Sequence, residues 1–425
     1  MMMLVFIFAF MILLFLRMPV AVALGIPSLI YLLLQGLPPA MIVLKMIESL
    51  NSFPLVAVLF FLLAGNMMNL YGVSDRIYNF AEKTVGHLPG GLAQVNILGS
   101  VIFAGMSGTA LADAAGIGTI EIFEMKKRGY SQGLSVGTTA ASSVIGPIIP
   151  PSVPMIVLGV VAGQSIGKLF LGGILPGIIV ASALGVMCVF LVRKEPNVKK
   201  LKRATLKEML KSFIKAFPSL FTIVIILGGM FGGFFTATES ATVAVIYVLI
   251  LGFAYKTFSW KEQVKNFKSA MSVTTKTMFI ITCSTLFSQV VIREQMAVTL
   301  GNFMTHTIKS PFLILLIINI FLIILGCFID QIAGIMVATP IFLPIMIGLG
   351  LAPIHACMII IVSLMLGLIT PPFGLVLFAL ADVEKMSVKN VIKGTAPFYV
   401  PIFVALMIVT YVPFISTFLS NMFMK

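Results

Sequence analysis

Apolar runs long enough to cross a lipid bilayer recur from one end of this 425-residue chain to the other. A helix needs about 20 predominantly apolar residues to cross the hydrocarbon core. Such runs fall near 2–16, 18–35, 54–71, 91–108, 167–192, 214–233, 240–255, 272–292, 311–329, 354–369 and 397–420. They predict an all-α polytopic membrane protein with roughly ten to twelve spans and shorter pieces between them. Charged residues are only 10% of the chain and hydrophobic ones 60%. Soluble domains carry about 25% charged residues, so this composition cannot build a water-facing surface. The first run lacks the basic stretch of a secretion signal, and spanning continues after it, so it reads as a span.

The formal net charge is +14. In a soluble protein this would suggest a nucleic-acid partner. Here no nucleic-acid partner is expected, because Lys and Arg collect in the cytoplasmic loops of membrane proteins. The densest run, Arg193 to Lys215, holds nine basic and two acidic residues and is placed in the cytoplasm. A second cluster, Lys126, Lys127 and Arg128, joins two apolar segments. Cys188, Cys283, Cys327 and Cys357 stand singly, without CxxC or Cys/His ligand spacing, so neither zinc nor a disulfide framework is expected. His87, His306 and His355 are far apart, and no HExxH signature is present.

The 193–215 run separates two hydrophobic halves that repeat one another at an offset of 221 residues. That offset places Pro150–Pro151 on Pro371–Pro372, Gly105 on Gly326, Gly129 on Gly350, Ser142 on Ser363 and Gly146 on Gly367, with 11 identities across 101–158. The coincidence of Gly and Pro matters most, since these residues decide where backbone leaves the helix. Lys126, Lys127 and Arg128 fall opposite the uncharged Ile347, Gly348 and Leu349. Equivalent loops on opposite sides of the membrane are the mark of an inverted repeat. The stretches 54–84 and 272–300 are both apolar but interrupted by polar groups: Asn66, Asn69, Ser74, Asp75 and Arg76 in one, Gln289, Arg293, Glu294 and Gln295 in the other. Each reads either as a helix leaving the membrane or as a re-entrant hairpin sheltered by protein.

Four segments look like broken helices. The first is Gly105-Met-Ser-Gly-Thr-Ala-Leu-Ala-Asp113, where each Gly disfavours helix by about 1 kcal/mol. The second is Ser142 to Pro154, with Pro147, Pro150, Pro151 and Pro154; the matching pair is Leu325 to Gln331 and Gly367 to Gly374. A break frees backbone carbonyls upstream and N–H groups downstream, and in hydrocarbon these must face protein, water or a bound ion. Carbonyl, Ser, Thr and Asp oxygens are hard ligands suited to a hard cation such as Na⁺. Half-helix N-termini suit a carboxylate. Small residues in membrane helices also serve close packing, and Asp113 reads either as a helix cap or as part of a site. Glu121 and Glu124, beside the basic connector, are expected at the membrane interface. Asp330, at the end of an apolar run, is a functional candidate by position.

An enzymatic alternative rests on Gly105-Met-Ser107-Gly, which matches the GxSG pattern of rhomboid-type intramembrane serine proteases. Ser107 would be the nucleophile and His306 or His355 the base. His355 reads as an interfacial histidine, the rest of the rhomboid pattern is missing, and the second half of the repeat has no serine at that place.

The motifs GMSGTALADAAGIGTI, GPIIPPSVPMIVLG, FFTATESATVAV, CFIDQIAGIMVATPIFLPI and LITPPFGLVLF, in this order over nearly the whole chain, resemble the large membrane subunit of tripartite ATP-independent periplasmic (TRAP) transporters. The resemblance implies an inverted-repeat, elevator-type secondary transporter in a bacterial inner membrane. It would import an organic acid with Na⁺, a sialic acid such as N-acetylneuraminate ahead of C4-dicarboxylates. It implies a periplasmic substrate-binding protein and a separate small membrane subunit of four helices as partners, surrounded by membrane lipid. It implies one Na⁺ site at Ser107, Thr109, Gly146, Ile149 and Pro151, and a second at Gly326, Asp330, Gly367, Thr370 and Phe373. Substrate would lie near Ser107, Asp113, Ser152 and Pro154. The implied domains are scaffold helices at 1–53, a transport half at 54–166, scaffold helices at 167–271 with the linker at 193–215, a second transport half at 272–382, and a C-terminal scaffold helix at 383–425. The amphipathic stretches near 38–51 and 257–270 would brace the transport domain against the scaffold.

Overall fold

The computed structural model describes residues 2–16, 18–198 and 201–424, so Lys199 and Lys200 of the basic run lie outside the described residues. No strand occurs among them. The first half opens with α1 (Met2–Phe15), α2 (Val20–Leu34) and α3 (Pro39–Leu50). A helix pair follows, α4 (Phe53–Leu70) and α5 (Val73–Val85), turned at Gly72 in the left-handed region. Then come α6 (Leu92–Ser107), the short α7 (Ala110–Ala115), α8 (Ile117–Lys127), α9 (Gln132–Ser143), α10 (Val153–Ala162) and α11 (Ile166–Val192).

The second half begins with α12 (Leu206–Ile223), continued by a π turn (Val224–Gly228) and α13 (Gly229–Phe231), then α14 (Ala237–Ala254). Its helix pair is α15 (Trp260–Arg293) and α16 (Met296–Ile308), again with a left-handed residue, Gln295, at the turn. It ends with α17 (Pro311–Phe328), α18 (Gln331–Gly348), α19 (Pro353–Gly367), α20 (Leu375–Val383), α21 (Val388–Tyr411) and α22 (Phe414–Phe423). Eight of the described helices are long and apolar enough to cross a membrane, and six shorter apolar helices accompany them. Three of the short ones, Leu92–Ser107, Val153–Ala162 and Pro353–Gly367, border the irregular segments described below.

The 221-residue repeat holds in the backbone. α9 and α19 each end in irregular segments, 144–152 and 368–374, before α10 and α20, and the Pro150–Pro151 and Pro371–Pro372 peptides are both cis. These two helices form the centre of the molecule: α9 is buried from Leu134 to Ser143 and α19 from Ile354 to Gly367. α9, QGLSVGTTAASS, stays buried despite its polar residues because they are small enough for neighbours to close on the backbone. Its Gly137 meets the Gly394 carbonyl of α21 directly. Buried hydroxyls still need partners. Ser142 donates to Asn96 Oδ1 at 2.7 Å, and its counterpart Ser363 donates to Asn319 Oδ1 at 2.9 Å.

Two departures from the expected boundaries have plain causes. The amphipathic stretch at 257–270 and the apolar run at 272–292 belong largely to one unbroken helix, α15, so the boundary expected between 271 and 272 falls inside it. No Gly or Pro interrupts that segment, and helix propensity carries it through the change from polar to apolar. The run at 397–420 is instead divided at Val412–Pro413, because the residue before a proline is pushed out of the helical region.

Both helix-pair turns are held by tyrosines. Gln263 of α15 donates to the Tyr71 hydroxyl beside the first turn, and Arg76 lies 3.6 Å from the centre of the Tyr255 ring. Tyr31 of α2 donates to Glu294 at the second turn. Large side chains such as Phe8, Leu34 and Val400 stay exposed on the outer helices, as lipid contact requires.

Candidate functional site

The first break lies between α6 and α7. Ser107 closes α6, Gly108 takes a left-handed conformation, and Thr109 becomes extended and caps α7, its hydroxyl accepting from the Ala112 N–H at 3.2 Å. Thr109, not Asp113, is therefore the cap. Gly108 is needed for its positive φ and for space: a Cβ there would stand 2.7 Å from the Pro151 carbonyl oxygen. The Gly108 carbonyl accepts from the Val153 N–H at 3.3 Å, which ties this break to the proline-rich segment after α9. Gly146 packs against the Thr109 carbonyl, and Gly65 of α4 packs against Ser107. Ser107, Thr109, Gly146 and Pro151 thus converge, and the buried Ser107 hydroxyl has no partner among the described residues. The Ile149 side chain points away, toward Gly177 of α11.

The second break lies between α17 and α18. Ile329 is extended and Asp330 caps α18, its Oδ1 accepting from Ile332 N–H at 2.8 Å and Ala333 N–H at 3.0 Å. Oδ2 makes neither bond. Gly326 and Gly367 bring their backbones into contact: a Cβ on Gly326 would stand 3.1 Å from the Gly367 Cα and 2.5 Å from the Leu364 carbonyl oxygen. Thr370 donates to the Leu366 carbonyl at 2.7 Å, and the Phe373 ring lies against Phe328 with centroids 5.5 Å apart.

The two breaks open on one cavity of about 500 Å³. Thr109 and Asp330, which correspond at the 221-residue offset, both line it, together with Asn66 of α4, Lys276 and Thr277 of α15, and Gln331. Ser107, Asp113, Ser152 and Pro154 do not. Asp113 and Ser152 are fully buried. Asp113 Oδ2 accepts from Ser100 at 2.8 Å, and Ser152 donates to the Pro147 carbonyl at 2.6 Å while capping α10. A cavity walled by apolar helices, with half-helix ends and one lysine exposed to it, is suited to a small acid and to hard cations.

The family model described as "Tripartite ATP-independent periplasmic transporter, DctM component" matches residues 7–415. The chain belongs to this family. It is 38% identical over 420 residues to the sialic acid TRAP transporter large permease protein SiaM of Vibrio cholerae, covering 98% of each chain. It is 38% identical over 379 residues to the sialic acid TRAP transporter permease protein SiaT of Haemophilus influenzae, covering 89% of this chain and 61% of that protein. It is 37% identical to the C4-dicarboxylate TRAP transporter large permease protein DctM of Pseudomonas aeruginosa, covering 89% and 88%. Among solved structures it is similar to the Alcanivorax borkumensis YdaH transporter, with a TM-score of 0.62 at 13% identity over 86% of each chain. That likeness supports the transporter fold.

Family membership removes the protease reading, since these relatives are transporter permeases. The geometry agrees. His355 is buried rather than interfacial, with Nδ1 2.7 Å from the Ser416 hydroxyl and Nε2 3.1 Å from the Thr410 carbonyl. His306 is exposed on α16. Glu124 is partly exposed and pairs with Lys127 at 3.5 Å, as an interfacial residue should. Glu121 is not interfacial: it is buried against α6. A helix facing protein on one side can bury a carboxylate one turn from its charged end, which linear spacing does not reveal. Lys276 was also missed as a site residue. The available signal was a lone cation inside the apolar run at 272–292, a functional position by default.

Proposed function

We propose that this chain is the large permease subunit through which an organic acid is imported together with Na⁺, in the inner membrane of a bacterium. The observation that supports it best is the shared cavity, where two repeat-related helix breaks meet. Na⁺ is cargo in this reading, and the donors fit it: the Ser107 hydroxyl, unpartnered among the described residues, and the Thr109, Gly146, Ile149 and Pro151 carbonyls in one half, and Asp330 with Gly326, Gly367, Thr370 and Phe373 in the other. These are the hard oxygen ligands such a cation takes. A periplasmic binding protein delivers the acid, and a small four-helix membrane subunit completes the scaffold. The segment 54–166 and the second half, taken from the start of the unbroken α15 at Trp260 to residue 382, move as the transport unit in an elevator cycle.

Relatives named for sialic acid and for C4-dicarboxylates match at nearly equal identity, 38% and 37%, and both substrates are carboxylates. A sialic acid is favoured by the order of the matches. Lys276, the only Lys or Arg lining the cavity among the described residues, is the charge that would meet the substrate carboxylate. Lys276→Gln is expected to raise the half-saturating acid concentration about tenfold, a loss of about 1.4 kcal/mol, with Lys276→Arg recovering most of it.

The test is uptake into liposomes holding this chain, its small subunit and its binding protein, with labelled N-acetylneuraminate and succinate supplied separately. Uptake should require an inward Na⁺ gradient and should select one acid. Uptake indifferent to Na⁺ would overturn the coupling assignment, and transport of neither acid would overturn the substrate class.

A further inference from the structure

Glu121 stands apart from every residue used above. It lies on α8, fully buried, and neither carboxyl oxygen has a hydrogen-bond partner among the described residues. Its Oε1 occupies a notch in α6 that exists because residue 99 is glycine; a Cβ on Gly99 would overlap it. The repeat shows that the fold does not need a carboxyl there. At the 221-residue offset the equivalent position holds Phe342, a buried aromatic on α18.

Among the described residues no Lys or Arg pairs with Glu121. From α7 comes Asp113, a second buried carboxyl within electrostatic reach, with its Oδ1 also unpartnered. Tyr78 of α5 also lies within electrostatic reach, and acting on it in turn are Glu82 of α5, Glu124 of α8 and Arg128 just past the end of α8. Arg128 is committed to Glu82 at 2.9 Å and Glu124 at 3.8 Å. Lys126 pairs outward with Glu384 at 2.7 Å and Lys127 with Glu124. α6 and α9 carry no charged side chain at all. A charge buried beside a like charge and without donors is expensive in a low-dielectric interior. The neutral acid is the form that this environment accommodates.

Tyr78 is buried with its hydroxyl unpartnered among the described residues, and it lies within electrostatic reach of Glu121 and of Glu82, Glu124 and Arg128. Those three are part-exposed at the basic-connector end of α8. On the far side Asp113 joins Ser100, which joins Ser142 at 3.0 Å, beside the segment that contributes Gly146. Glu121 therefore sits between the membrane rim and the first helix break without touching any of the Na⁺ ligands assigned above.

We propose that Glu121 is a proton-binding site of the permease, and that only the protonated form supports transport. The step is one proton gained or lost at a carboxyl oxygen, with no other bond changed. Glutamine keeps the shape and the neutrality of the protonated acid, so it isolates the proton.

The test uses the same reconstituted complex, with the Na⁺ gradient held constant so that a failure of Na⁺ coupling registers separately. Uptake is measured from about pH 5.5 to 9 for the unaltered chain, Glu121→Gln and Glu121→Asp. The unaltered chain should lose about tenfold in rate toward the alkaline end, Glu121→Gln should vary less than about twofold, and Glu121→Asp should shift the profile without flattening it. Infrared spectra should show a protonated carboxyl band that fades with rising pH and is absent from Glu121→Gln. A pH-independent rate in the unaltered chain would overturn the proposal, as would a Glu121→Gln profile that still bends with pH. So would folded but inactive Glu121→Gln, a carboxyl band that persists throughout, or a changed Na⁺ half-saturation with an unchanged pH profile, which would make the site one for Na⁺.

Discussion

Asp330→Ala is expected to reduce Na⁺-driven uptake at least about a hundredfold while the protein still folds. Two effects combine at this residue. Its Oδ1 caps α18 through two N–H bonds, and loss of such a cap costs about 1 kcal/mol. Its charge, facing the cavity, is the only carboxylate among the described residues that line it. Asparagine caps a helix about as well as aspartate does, so Asp330→Asn separates the two effects. Asp330→Asn should unfold near the temperature of the unaltered chain yet transport as poorly as alanine, with a raised Na⁺ half-saturation. If the asparagine variant transports normally, Asp330 serves the helix end and not the ion.

The second large effect is on stability. Gly367→Ala places a Cβ 2.6 Å from the Ile323 carbonyl oxygen and 2.6 Å from the Gly326 Cα. These are backbone atoms and cannot rotate away. α17 and α19 must separate, and overpacking of a closed interior costs about 1–3 kcal/mol, occasionally more. Thermal unfolding in detergent should therefore occur at a clearly lower temperature for Gly367→Ala. Gly350→Ala offers the contrast: it sits in open space with a positive φ, so its strain is local and leaves the α17–α19 contact intact.

Much of this architecture was legible in the residues. The Gly and Pro positions that repeat at 221 residues mark the breaks after α6, α9, α17 and α19, because these residue types act on the backbone wherever they stand. Side-chain direction was far less legible. Glu121 and Glu124 are three residues apart, yet one is buried and the other pairs with Lys127 at the rim. His355 looked interfacial beside Pro353 and proved to be a partner of Ser416, 61 residues away. Asp113 and Ser152 carry the right chemistry for a site but spend it on Ser100 and Pro147. Which face a polar residue takes depends on helices distant in sequence, and one chain's periodicity does not contain that information. The unbroken α15 was hidden for another reason: hydropathy changes along it while helix propensity does not.

That helix has a mechanical consequence. Its 34 residues extend about 51 Å at 1.5 Å per residue, well beyond the bilayer's hydrocarbon thickness of about 30 Å. It runs from Gln263, gripped by Tyr71, past Lys276 at the cavity, to the turn where Tyr31 holds Glu294. A rod without an internal joint cannot bend at the cavity. Displacement at one end must reappear at the other, where a phenol hydroxyl meets each end of the helix. The first helix pair and α2 are thereby linked as by a connecting rod, and a shift of either tyrosine's partner is felt on both sides of the cavity at once.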